Sequence, residues 1–152
     1  MSSKLVAIQS EWFPNTKWVW IRRRDLLDQA ISFVMAQQSN SWTSKEPVVS
    51  SPAYSFVKIK DAINLFESEE AYLLNYFQNQ EISPLEVWYE DVVSDPLYAI
   101  KDVISFAGLK ADGGNEQYSS AYEKQATEMN MEWRNIFLDD DKSEAARYFR
   151  GT

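Results

Sequence analysis

A chain of 152 residues is long enough to bury one core, and its 45% apolar and 14% aromatic content excludes global disorder. The balance of 15 basic against 23 acidic residues gives a net charge of −8, which argues against a nucleic-acid partner and confines any anion binding to a local cluster. Cysteine and histidine are both absent, so disulfides and thiolate metal sites are excluded, and any proton transfer falls to a carboxylate, lysine, tyrosine or bound ligand.

Residues Ser2 to Ser10 are predicted as a short helix. The N-terminal segment has neither a long apolar core nor a small-residue cleavage pattern, so it does not read as a signal peptide. No apolar run approaches a membrane span, which predicts a cytoplasmic protein with no membrane partner. Trp12-Phe13-Pro14-Asn15 reads as a turn, because Pro14 disfavours helix at Phe13. Lys17 to Arg22 is rich in Trp, Val and Ile with little alternation, which predicts a strand buried on both faces. Asp25 opens a helix, where its charge suits the helix dipole. Leu26, Ala30, Phe33 and Val34 lie along one side of it, and the helix ends before Asn40.

Trp42 to Pro52 is a Ser/Thr/Pro-rich loop. Phe56 to Asn79 is a long helix with Ile59, Ile63, Phe66, Leu73 and Phe77 on one face and Glu67, Glu69 and Glu70 toward solvent. Pro84 to Tyr89 is a second strand. Asp95-Pro96 pairs a capping residue with proline at the first helical position, Ile100, Val103, Ile104 and Ala107 follow at helical spacing, and Gly108 stops the helix. Asp112 to Asn115 is a turn or flexible loop. The tail from Glu116 to Phe149 is helical in parts, broken near Asp139-Asp140-Asp141. Strands separated by helices predict an α/β layer with a small parallel sheet flanked by a majority of helices, in one domain over residues 1–152.

Three constellations can carry chemistry. Arg22, Arg23 and Arg24 end a strand and precede a helix, whose first turn offers backbone N–H groups; guanidinium forks beside them match phosphate oxygens. Alternation keeps all three from one ligand unless the strand has ended. Ser32, two turns on, can add a hydroxyl. The competing reading is surface arginines paired with Asp25, Asp28 or glutamates. Val87 to Pro96 ends a strand in Tyr89-Glu90-Asp91 at the carboxyl edge of the sheet, where ligands bind in open α/β folds. Tyr89 can stack on a base; Glu90 and Asp91 are a base, partners of the arginines, or a helix-capping loop. Trp133 and Phe137 read as a core stripe, Arg150-Gly151 is too short for a motif, and Asp139-Asp140-Asp141 lacks the Gly and Glu of a calcium loop and reads as a solvated turn, so no metal site is expected.

Together these segments resemble the sulfotransferase superfamily, and within it the bacterial trehalose-type sulfotransferases, which use 3′-phosphoadenosine 5′-phosphosulfate (PAPS). The resemblance rests on FPNTKWVWIRRRD (Phe13 to Asp25), QAIS (Gln29 to Ser32) and Trp42, then PLEVWYEDVVSDP (Pro84 to Pro96) with FAGL (Phe106 to Leu109), and Trp133 and Phe137 in the tail. It implies a phosphate-loop-like (P-loop-NTPase-like) sulfotransferase fold and PAPS or adenosine 3′,5′-bisphosphate as ligand. It maps the 3′-phosphate onto Arg23 and Arg24, with Arg22 as an alternative, and Ser32, and it brings Tyr89 near the adenine. The acceptor it implies is a hydroxyl, on a carbohydrate by analogy. Family members begin with a strand and a Ser/Gly/Thr-rich loop gripping the 5′-phosphosulfate; here the chain opens just upstream of the 3′-phosphate strand. The expectation is therefore a truncated, C-terminal portion of a sulfotransferase domain, incomplete or inactive alone, whose exposed sheet edge is covered by a homodimer mate or a complementing N-terminal chain. The alternative is a non-catalytic relic serving as a nucleotide-binding or protein-interaction module.

Overall fold

The computed structural model describes residues 15–42, 50–110, 128–141 and 145–150. The predicted N-terminal helix, the turn at Asp112 to Asn115, and most of the turn at Trp12 to Asn15 lie outside the described residues. Strands β1 (Val19–Arg22) and β2 (Leu85–Trp88) pair in parallel, with Val19 opposite Leu85 and Arg22 opposite Trp88. The crossover between them consists of helices α1 (Leu26–Ser39) and α2 (Phe56–Asn79). After β2 come α3 (Tyr89–Ser94), α4 (Pro96–Ala107) and α5 (Glu128–Asp140), and a 3-10 turn over Ala145–Tyr148. The described chain is thus mixed α/β, mostly helical, with a two-stranded parallel sheet, as the alternation of elements predicts.

Local chemistry sets the helix ends. The Asp25 carboxylate caps α1 by accepting from the Asp28 N–H at 2.9 Å, and Asn40 closes the helix in the left-handed region at φ 52°. Asp95 caps α4 by accepting from the Tyr98 N–H at 3.0 Å, with Pro96 next, and Gly108 closes it at φ 73°. The Leu109 N–H then reaches back to the Ile104 carbonyl at 3.0 Å and satisfies an end carbonyl of the helix.

The core lies where α1, α2 and α5 meet. Leu26, Leu27, Ala30, Ile31 and Val34 form the buried stripe of α1; Ile59, Ala62 and Ile63 answer from α2. Trp133 and Phe137 complete it from α5, as their four-residue spacing predicts, and Tyr148 fills the end of the cluster. Phe137 stacks on Phe56 at 4.9 Å and meets the Tyr148 ring edge-on at 5.5 Å.

Two expectations are corrected. Strand β1 is not buried on both faces: Trp20 packs against Phe77 at 5.5 Å, but Ile21 on the opposite face is 64% exposed. A two-stranded sheet leaves that face thinly covered, since α4 packs beside β2, where Val87 is buried, and does not shield Ile21. For the same reason the apolar stripe of α4 is only half-buried; Ala99 is its one buried residue. The second concerns Asp139-Asp140-Asp141: Asp139 and Asp140 are exposed at the end of α5, as a solvated run would be, but Asp141 in the turn that follows is not solvated. Asp141 is buried, pairs with Lys60 at 2.6 Å and accepts from the Tyr148 hydroxyl, while Asp140 accepts from the Tyr54 hydroxyl at 2.9 Å. Burial, then the Asp140 hydrogen bond, raise the Tyr54 pKa, so that hydroxyl stays a donor at neutral pH. No helix among the described residues is long and apolar enough to cross a membrane.

Candidate functional site

Parallel pairing brings the carboxyl ends of β1 and β2 to one edge, so Arg22-Arg23-Arg24 and Trp88-Tyr89-Glu90-Asp91 run side by side. The three arginines part company there because the strand ends at Arg22. Arg22 still follows the pleat and turns onto the face covered by α2. It donates to Glu70 at 2.8 Å and to Glu86 at 2.7 Å, with its guanidinium 4.5 Å from the Trp20 ring and 4.7 Å from the Trp88 ring. Glu70 is therefore not a solvent-face residue. It lies at the helix's contact with the sheet and also pairs with Arg150; Glu67 likewise is engaged, by Arg147.

Arg23 lies 4.0 Å over the Tyr89 ring. Its Nε is 3.5 Å from Glu90, close enough to be attracted but outside hydrogen-bond geometry, and that buried nitrogen has no hydrogen-bond partner among the described residues. Arg24 makes a bidentate pair with Asp91 at 2.6 and 2.9 Å. That hydrogen bond raises the Arg24 pKa and holds the Asp91 carboxyl below the usual carboxylate range, each against a smaller desolvation effect. Glu90 completes the corner: it accepts from the backbone N–H of Arg24 at 3.1 Å and of Asp25 at 3.4 Å. Of the readings open for Glu90 and Asp91, the geometry makes them partners of the arginine segment.

Asp25 and Asp28, the arginine partners suggested by proximity in sequence, belong instead to Arg134 of α5, at 2.9 and 2.7 Å. Ser32 stands exposed on α1, about 10 Å along the axis from the helix start at 1.5 Å per residue, and accepts from Asn130 Nδ2 at 3.2 Å. The structure thus brings Arg23, Arg24 and Tyr89 together, draws Arg22 under α2, and leaves Ser32 two turns up the same helix.

Sequence reasoning missed the C-terminal contribution. The Arg150 N–H donates to the Arg24 carbonyl at 2.8 Å, and Phe149 bridges Asp25 in antiparallel fashion, so the tail clasps the arginine corner from behind. Burial lowers the Arg150 pKa, with Arg22 adding to the shift and Glu67 opposing it. Nothing local in the sequence signals these contacts, which join residues more than 120 positions apart. A cavity of about 340 Å³ lined by Lys17, Trp18, Ile82, Ser83 and Phe106 lies at the amino ends of both strands, remote from this corner.

No grouping of three acidic side chains among the described residues is suited to a metal ion. Chemically, the corner is an arginine segment set among carboxylates beside a capped helix start, with the Arg23 guanidinium over the Tyr89 ring. A search among curated proteins gives no match. The family model described as Stf0 sulphotransferase matches residues 2–140, which include the arginine corner, Ser32 and the Tyr89-Glu90-Asp91 segment. The chain belongs to the Stf0 sulphotransferase family.

Proposed function

We propose that this chain is a PAPS-dependent sulfotransferase domain whose arginine corner holds the adenosine 3′-phosphate part of the donor. PAPS supplies the sulfuryl group that is transferred to a hydroxyl acceptor, here assigned to a carbohydrate of the kind the trehalose-type enzymes use. Arg23 and Arg24 neutralise the 3′-phosphate, Ser32 donates to it, and Tyr89 stacks at the adenine. Arg22, held between Glu70 and Glu86, stiffens the strand end.

The observation that carries this reading is the buried Arg23 Nε beside the Tyr89 ring, which among the described residues has Glu90 at 3.5 Å but no hydrogen-bond partner. A buried guanidinium donor without an acceptor is costly, and a phosphate oxygen satisfies it. The fit extends to Arg24, whose exposed partner Asp91 yields more readily to a dianion than a buried one does. Calorimetric titration with adenosine 3′,5′-bisphosphate is the test. Wild type binds and Arg23→Ala/Arg24→Ala does not; no binding by wild type, or equal binding by both, refutes the site.

A partner is also proposed, on the exposure of Ile21 and on β1 having β2 as its sole strand neighbour among the described residues. Open strand edges are normally covered. A complementing chain or a second copy pairing there would cover that edge. Light scattering tests this: a strict monomer that turns over PAPS unaided contradicts it. Without such a partner the same corner acts as a nucleotide-binding or interaction module.

A further inference from the structure

Helix α5 lays two polar side chains, Asn130 and Arg134, across two on α1, Asp28 and Ser32. Each pair is four residues apart and so shares one helix face. The rungs match in antiparallel order: Arg134 Nη1 reaches Asp28 at 2.7 Å, and Asn130 Nδ2 donates to Ser32 Oγ at 3.2 Å. Asn130 is buried, on the same face of α5 as Trp133 and Phe137, so its amide is held by the core packing; Ser32 is exposed.

The direction of the second rung matters. A serine hydroxyl has one hydrogen to give and two acceptor positions. Asn130 occupies an acceptor position, and no described residue takes the Ser32 hydrogen. Among the described residues that hydrogen has no acceptor, so a bound ligand can take it. Ionised phosphate oxygens are acceptors only, so a serine presenting a lone pair repels them and one presenting its hydrogen binds them.

We infer that Asn130 is a positioning residue: by donating into Ser32 Oγ it fixes this hydroxyl as a donor to the 3′-phosphate. The inference rests on the 3′-phosphate reading above. It predicts that a residue of α5 tunes affinity for a ligand it does not touch.

The test is a double-mutant cycle between Asn130 and Ser32, read with adenosine 3′,5′-bisphosphate and with adenosine 5′-monophosphate, which lacks the 3′ group. Asn130→Ala is paired with the near-isosteric Asn130→Asp, whose carboxylate takes the Ser32 hydrogen and turns it from the ligand, and circular dichroism verifies folding. Expected is a loss of roughly tenfold in affinity for the bisphosphate on Ser32→Ala, a similar loss on either Asn130 variant, and no further loss from Asn130→Ala when Ser32 is already alanine. The monophosphate affinity stays unchanged in Asn130→Ala. If Asn130→Ala and Asn130→Asp both bind the bisphosphate like wild type while Ser32→Ala does not, the positioning role is overturned and the 3′-phosphate site stands. Equal losses for both nucleotides, or an Asn130→Ala effect that persists without the Ser32 hydroxyl, also overturn it. A wild-type protein with no preference for the bisphosphate overturns the 3′-phosphate reading and this inference together.

Discussion

Tyr148 is fully buried, and its replacement by phenylalanine tests how the tail is fastened beneath the arginine corner. Its hydroxyl donates to Asp141 and accepts from Lys60 Nζ at 3.0 Å, while Lys60 and Asp141 pair with each other at 2.6 Å. Burial, then the hydrogen bond to Asp141, raise the Tyr148 pKa, so the group is a protonated donor at neutral pH. Tyr148→Phe keeps the ring against Phe137 and removes one oxygen bonded to two charges. A hydrogen bond to a charged group contributes about 1.5–3 kcal/mol, and the surviving Lys60–Asp141 pair leaves neither charge stranded, so the expected cost is about 2 kcal/mol. For a chain of this length that lowers Tm by about 4–8 °C. Urea unfolding followed by tryptophan fluorescence reads it as a lower midpoint at unchanged slope, with the buried Trp133 as reporter.

The same cluster makes a pH prediction. The Lys60 hydrogen bond, then that of Tyr148, hold the Asp141 carboxyl below the usual carboxylate range. A depressed pKa means that the stabilisation is complete above the carboxylate's unfolded value and is lost as pH falls through the folded one. Asp141→Asn is therefore less stable than wild type at neutral pH, and the gap closes on acidification through that window. A Tyr148→Phe protein within about 0.5 kcal/mol of wild type, or an Asp141→Asn deficit constant into acid, refutes the account of this cluster.

Three further outcomes follow from named contacts. Asp91→Asn removes the carboxylate that competes for Arg24 and tightens adenosine 3′,5′-bisphosphate binding in calorimetry, by under about fivefold because an exposed pair is a weak competitor. Phe137→Ala empties the centre of the core and costs about 3–5 kcal/mol in chemical denaturation, whereas Phe137→Leu loses less. Gly108→Ala meets no atom within 4 Å, so its penalty in a thermal melt, about 1 kcal/mol, comes from the left-handed backbone alone; a neutral result contradicts the capping geometry.

The elements legible in the sequence are those with local causes. The bounds Phe56 to Asn79 follow from the apolar period, α4 from Asp95-Pro96 and Gly108, and the parallel pairing from helices set between strands. Tyr89-Glu90-Asp91 was legible as a strand end but not as the start of α3, because Trp88 gives that helix no side-chain cap to announce it. The exposure of Ile21 was not legible, since a strand's composition does not reveal how many neighbours its sheet has. Within the site, Arg23, Arg24 and Tyr89 could be singled out from their neighbours in sequence. Glu70, Asn130, Arg134 and Arg150 could not, because each acts through a partner on another element and looks locally like an ordinary helix or tail residue.

A crystal structure of the protein with adenosine 3′,5′-bisphosphate tests the central claim most directly. The account predicts the 3′-phosphate within hydrogen-bond distance of the Arg23 Nε, the Arg24 guanidinium and the Ser32 hydroxyl, with Arg24 released from Asp91 and the adenine against Tyr89. A nucleotide bound elsewhere, such as the cavity beside Lys17 and Phe106, with the Arg24–Asp91 pair intact, contradicts it.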